Sequence, residues 1–201
     1  MSAPVNVFLP SGGPGEDVVL YAAGAAVHVN WEIVADPTAA GGGFLQNPNA
    51  GQAKLLSALE TPSSYFEMTF TAQAGRPYRL WMRGKALGNS TSNDSVFVQY
   101  DDALDANGSP AYRIGTASAL DWNLEECLGC GLSQWGWRDN GWGAIGLRGP
   151  TIRFAHDGEQ TIRIQRREDG LGIDQIVLSS LRWLNVSPGK ARSDDVILPR
   201  P

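Results

Sequence analysis

An all-β fold, specifically an antiparallel two-sheet β-sandwich of jelly-roll type, is predicted by three observations. Short runs alternate apolar and polar residues with a period of two. The segments between them are rich in Gly, Asn, Asp and Ser, the residues that turns require. The chain of 201 residues holds 24 glycines and 12 prolines and shows few helix-forming patterns. Many short strands joined by turn-rich loops bury one face of each sheet against the other.

The elements follow in order. "DVVLYA" (17–22) and "VHVNWEI" (27–33) open the series, and "ADPTAAGGGFLQNPNAG" (35–51) reads as a loop. "LLSALE" (55–60) reads as one helical turn. In "SYFEMTFTA" the apolar Phe66, Met68, Phe70 and Ala72 alternate with Tyr65, Glu67, Thr69 and Thr71, a half-buried strand. "AGRP" makes a turn. In "YRLWMRG" Tyr78, Leu80 and Met82 face one way and Arg79, Trp81 and Arg83 the other. The loop "GNSTSNDS" leads to "SVFVQY" (95–100), and "TIRFA" (151–155), "TIRIQ" (161–165) and "IDQIVLS" (173–179) complete the set. Residues 1–186 are assigned to the sandwich. The tail "SPGKARSDDVILPRP" (187–201) reads as a linker or a strand-like strap, where a neighbouring domain would attach.

Composition excludes several classes of function. The net charge is −5 and the cations are scattered, so nucleic acid is not an expected partner. No run approaches the ~18 apolar residues of a membrane span, and no membrane insertion is expected. "MSAPVNVFLP" lacks the basic and long apolar regions of a signal peptide. Neither His28 nor His156 stands near a recognisable nucleophile, and no G-x-S-x-G, GxxxxGK[ST] or GxGxxG occurs. Cys127 and Cys130 are spaced C-x-x-C. A short-range disulfide stapling the loop is the preferred pairing and fits an extracellular compartment. A redox dithiol, a zinc site lacking two ligands and two free thiols are the alternatives.

Chemistry concentrates in "LEECLGCGLSQWGWRDNGWG" (124–143). Sugar rings stack their apolar faces on flat aromatic surfaces and present hydroxyls that need directed hydrogen bonds. Trp135, Trp137 and Trp142 supply rings, and Arg138, Asp139 and Asn140 supply donors and acceptors. The alternative is that some of these indoles cap the end of the sandwich. A second candidate surface is the outer face of "YRLWMRG", with Trp81 and Arg83 beside Arg79. Asn93 and Asp94 in the loop before "SVFVQY" add candidate hydrogen bonds, or cap their own turn. Asp174 shares a strand face with Ile176 and Leu178 by spacing. Turned inward, its carboxylate needs an arginine, loop N–H groups or a hard cation such as Ca²⁺. Asp169, Glu168, Glu16 and Asp17 are further candidate metal ligands. Glu125 with Glu126 is the carboxylate pair to test for glycan cleavage.

The closing segment "GEQTIRIQRREDGLGIDQIVLS" (158–179) resembles the last strands of galactose-binding-like jelly rolls, above all carbohydrate-binding modules of the sixth and thirty-fifth families and malectin-like domains. "AGRPYRLWMRGKA" (74–86), "NDSVFVQYDD" (93–102) and "WGW" (135–137) resemble their middle strands and aromatic loop. The resemblance covers roughly residues 17–185. It implies a non-catalytic module that binds polysaccharide or oligosaccharide beside a neighbouring catalytic domain, in a secreted or cell-surface bacterial protein. It also implies structural calcium, although Tyr21 and Ala23 stand where the family carries acids. Binding through stacking and neutral hydrogen bonds would be largely insensitive to salt. A cell-surface interaction or spacer domain is the alternative, and a glycan-cleaving sandwich enzyme a weaker one.

Overall fold

The computed structural model describes residues 16–144 and 146–200. The N-terminal stretch considered for a targeting signal lies outside the described residues. The strands are β1 Val18–Tyr21, β2 Val27–Val29, β3 Glu32–Ala35, β4 Gly43–Gln46, β5 Tyr65–Ala72, β6 Arg79–Ala86, β7 Ser95–Tyr100, β8 Ala103–Leu104, β9 Leu120–Asn123, β10 Gly136–Arg138, β11 Arg153–Phe154, β12 Gly158–Arg166 and β13 Leu171–Ser179. Among the described residues they form a two-stranded sheet, β11-β8, and two large antiparallel sheets. One runs β10-β6-β13-β4-β3, with β1 also on β13; the other runs β2-β5-β12-β7-β9. The expected all-β sandwich is the fold observed.

Alternation positions the core. Phe66, Phe70, Ile162 and Ile164 of one sheet meet Leu80, Met82, Ile176 and Leu178 of the other, all essentially without solvent contact. Each such side chain contributes ~1.5–3 kcal/mol relative to exposure. Between Ile173 and Gln175 the register of β13 against β6 shifts. β4 pairs β13 before this bulge and β1 pairs it after. The extra residue is Asp174, and it breaks the regular phase.

Three local expectations are corrected. "VHVNWEI" is two strands on different sheets, turned at Asn30 with φ 53°, and Trp31 folds inward edge-on to Phe66 at 5.0 Å. The glycine-rich loop contains β4, buried against β13. "LLSALE" forms no helical turn: it lies along β12, with the Leu55 N–H on the Arg167 carbonyl at 2.9 Å. The Gln165 side chain also bonds the Leu59 backbone at 2.9 and 3.3 Å.

The C-terminal tail lies on the outer face of the six-stranded sheet. The Trp137 N–H donates to the Lys190 carbonyl and the Asp194 N–H to the Trp135 carbonyl, each at 2.9 Å. Gln175 holds the Leu198 backbone through both its amide groups, at 2.8 and 3.0 Å. Leu198 packs there with Val19, Trp81, Trp137 and Val177 as a second apolar cluster. Close approach of tail and β10 requires Gly136, because an added Cβ would overlap the Ala191 carbonyl. Gly136→Ala should therefore lower stability by ~1–3 kcal/mol, the usual cost of overpacking. Thermal denaturation and limited proteolysis of residues 187–200 would check it, the tail becoming the first segment cut.

Candidate functional site

The tail turns an open sheet face into a cleft. The Trp81 indole N–H donates to the Trp183 carbonyl at 2.7 Å, and that of Trp137 to the Val196 carbonyl at 3.1 Å. Both rings are fixed edge and face. Beyond β10, Asp139 closes the neck of a loop. Its carboxylate accepts the N–H of Gly141 at 2.9 Å and of Gly149 at 3.2 Å, and Arg79 stands 3.4 Å away.

Between these elements lies a cleft of about 250 Å³. Trp81, Trp137, Glu126, Arg138 and Asp139 line it. Leu147 and Arg148 stand on the loop side, Ser187 and Ala191 on the tail side. Arg138 is held by the Leu124 carbonyl at 2.9 Å, with Glu126 3.8 Å away. Burial lowers the Arg138 pKa, and the Glu126 charge opposes that shift. Arg148 is exposed at the mouth. The arrangement offers indole edges among charged and polar groups, at the size of one or two sugar rings.

Four residues named for two different surfaces, Trp81, Trp137, Arg138 and Asp139, thus line one cleft. The expectation of a row of exposed indoles is corrected. Trp135 is 4% exposed, Trp137 1% and Trp81 5%, while Trp142 is open at 50%. Trp135 is covered because Phe44 meets it edge-on at 5.3 Å and the Lys85 ammonium lies 4.6 Å from its ring. Its indole N–H donates to the Thr38 hydroxyl at 2.9 Å. Asn140 is buried, its amide donating to the Pro150 carbonyl at 3.4 Å. Arg83 is buried against Asp174 rather than displayed on the sheet. Asn93 is buried too and caps its own turn, bonding the Leu87 carbonyl at 3.2 Å. The sequence reading missed the cleft's tail wall and Leu147 and Arg148. The glycine spacing at 141, 146 and 149 was the available signal for that loop.

Asp94 ties loops together from the inside. Its carboxyl accepts the Glu125 N–H at 3.1 Å, and its own N–H reaches Glu168 at 3.3 Å. Burial, then the Glu168 carboxyl beside it, push the Asp94 pKa up to about 7. Burial also raises Asp174 to about 6, against the pull of Arg83. A carboxyl whose pKa is raised on folding holds its proton more tightly in the folded state. Its stabilising contribution is complete below the unfolded value and is lost as pH rises through the folded one. Asp36 has the opposite sign: the hydrogen bond from Lys85 holds it down to about 2, and stability falls as it protonates. The melting temperature should therefore peak near pH 4–5 and fall by several degrees towards pH 8. Melting curves across that range check it, and Asp94→Asn should flatten the slope.

Cys127 and Cys130 form the disulfide. Glu125 turns inward, accepting the Gly131 N–H at 2.9 Å, while Glu126 lines the cleft, so this pair does not flank a shared opening. Each candidate calcium ligand meets protein groups. Asp174 takes Arg83 and, at 2.8 Å, the Ala40 N–H. Asp169 accepts the Gln52 N–H at 2.9 Å, and Glu168 pairs with Lys54 at 2.7 Å. Asp17 accepts N–H groups from Ser180, Leu181 and Arg182. The Tyr21 hydroxyl donates to the Leu198 carbonyl at 2.7 Å. Among the described residues no three His, Cys, Asp or Glu side chains group as a metal requires. A dication beside Asp174 would face a guanidinium, so this donor set does not fit calcium.

No family model matches the chain, and no curated protein matches it. Among solved structures it is similar to a Podospora anserina GH26-CBM35 β-(1,4)-mannanase, at 13% identity and TM-score 0.48, over 93% of this chain and 29% of that one. It is similar to a family 35 carbohydrate-binding module from Clostridium thermocellum, at 14% identity and TM-score 0.47, over 82% of this chain and 98% of that one. It is also similar to the C-terminal CBM6 of a laminarinase from Zobellia galactanivorans, at 9% identity and TM-score 0.45, over 82% and 99%. The chain spans less than a third of the mannanase, and 23% of an Arthrobacter globiformis isomalto-dextranase that it also resembles. Two of these matched chains are carbohydrate-binding modules, of the thirty-fifth and sixth families.

Proposed function

We propose that this domain binds carbohydrate without modifying it, at the cleft between β6, β10 and the tail. One observation carries the reading: a cleft of about 250 Å³ brings the edges of two rigid indoles, Trp81 and Trp137, together with Glu126, Arg138, Asp139 and Ser187. Groups already fixed lose little entropy on binding, and a sugar's hydroxyls find charged donors and acceptors there. Trp142, open to solvent on the adjoining loop, offers a stacking face. The disulfide favours a secreted or cell-surface setting. There the domain would hold a neighbouring catalytic domain on its polysaccharide.

A polysaccharide pull-down with product analysis tests this. Retention without new products is the expected result. Ser187→Trp, which fills the cleft from its half-buried tail wall, should weaken retention by about tenfold or ~1.4 kcal/mol while keeping the melting temperature. New reducing or unsaturated ends would make the domain an enzyme. Absence of retention on any polysaccharide would end the reading.

A further inference from the structure

We propose that the loop crown carrying Leu128, Trp142 and Leu147 docks on an anionic lipid surface. Leu128 is 89% exposed, Leu147 54% and Trp142 50%. The two loops that hold them are joined at Glu126. Its carbonyl accepts the Gly143 N–H at 2.9 Å, and its carboxylate accepts the Gly146 N–H. The disulfide closes the first loop around Leu128, and Asp139 closes the neck of the second. These apolar side chains are therefore displayed on short, braced loops.

The composition of the crown selects the partner. A sugar stacks on a flat ring and asks for hydrogen bonds at its edge, and a leucine offers neither. Leucine with tryptophan, bordered by arginine, is what an interfacial site presents to acyl chains and headgroups. The chain carries a net charge of −5, yet Arg148 and Arg192 are both exposed at these loops, with Asp195 exposed farther along the tail. The Arg192 guanidinium donates to the Cys130 carbonyl at the disulfide itself. The nearby carboxylates are engaged: Glu126 by Gly146 with Arg138 3.8 Å away, and Asp139 by its loop neck. Charge at this end thus complements an anionic leaflet. Three side chains on loop tips fall well short of the ~1,200 Å² that a stable protein interface buries, which argues against a second copy. Docking here is peripheral. Among the described residues no helix is long and apolar enough to cross a membrane.

Vesicles of phosphatidylcholine with and without phosphatidylserine, free of sugar, test the proposal by sedimentation and tryptophan emission. Trp142 is the exposed indole, Trp183 is half-buried and the other five are buried, so a shift reports the crown. The chain should sediment with phosphatidylserine vesicles, about fivefold more weakly without the anionic lipid, and its emission should move to shorter wavelength. Leu128→Ser and Arg192→Gln should each weaken binding by about fivefold with the melting temperature kept. Absence of sedimentation overturns the proposal. So does sedimentation that leaves the emission unchanged and ignores Leu128→Ser. Concentration-dependent dimerisation abolished by Leu128→Ser would assign the crown to a second copy instead. Leu147 and Arg148 also line the cleft, so the pull-down is run without vesicles and reads carbohydrate binding separately.

Discussion

Replacing Trp137 with alanine should destabilise the domain by ~3–5 kcal/mol, the range for truncating a large buried aromatic ring. At this chain length that is a fall in melting temperature of roughly 10 °C or more. The ring is 1% exposed, packs with Trp81, Val177 and Leu198, and holds the Val196 carbonyl by its N–H. Its removal leaves a void between sheet and tail and frees a buried carbonyl, so the tail should loosen as well. Any loss of sugar binding would then follow from the lost wall of the cleft. Had the ring stood open for stacking, the same change would weaken binding and spare the fold. Trp142→Ala is the control: with its side chain half in solvent it should move stability by no more than ~1 kcal/mol. Calorimetric or denaturant unfolding of the two variants separates the cases. A Trp137→Ala protein as stable as the parent would mean that the indole stands in water.

The sequence exposed what a period of two can expose. β5 and β12 each bury mainly one face, and their alternating residues read out both the strands and their inner sides. β6 alternates in sequence too, but the tail covers its outer face and it is buried on both. β4 was hidden because Gly43–Gln46 follows two glycines and is buried along most of its length, so it shows no alternation. The tail was hidden for a different reason. Its contacts run largely through the carbonyls of Lys190, Val196 and Leu198, and every residue type carries a carbonyl. The exposure of Trp81 and Trp137 depends on that tail, so indoles legible as chemistry were misplaced in space. Glu125 and Glu126 are adjacent in sequence, yet one turns inward and the other lines the cleft. Asp174 was legible as a buried carboxylate needing a partner, but its bulge sends it to Arg83 on the outer side of the sheet.

Arg83→Met should cost about as much as the loss of Trp137, ~3–5 kcal/mol, because it strands buried charge. The guanidinium is 1% exposed. It bonds the Asp174 carboxylate and donates to the Asp194 carbonyl at 3.1 Å. The Asp194 carboxylate lies 3.9 Å away, and the Trp135 ring centre lies 4.8 Å from the guanidinium carbon. Arg83→Lys should recover little, since an ammonium cannot reach several acceptors in one plane. Pairing Arg83→Met with Asp174→Leu should recover much of the loss, because the desolvated carboxylate goes with its partner. The same geometry sets the response to calcium. The cation that neutralises Asp174 is part of the chain, so adding calcium or a chelator should leave the melting temperature of the parent protein unchanged within about 1 °C. A rise of several degrees with calcium would mean that Asp174 ligates metal and that Arg83 yields its place. In the Arg83→Met protein two buried carboxylates have lost their counter-charge, so that is the background in which a calcium-dependent gain should appear first.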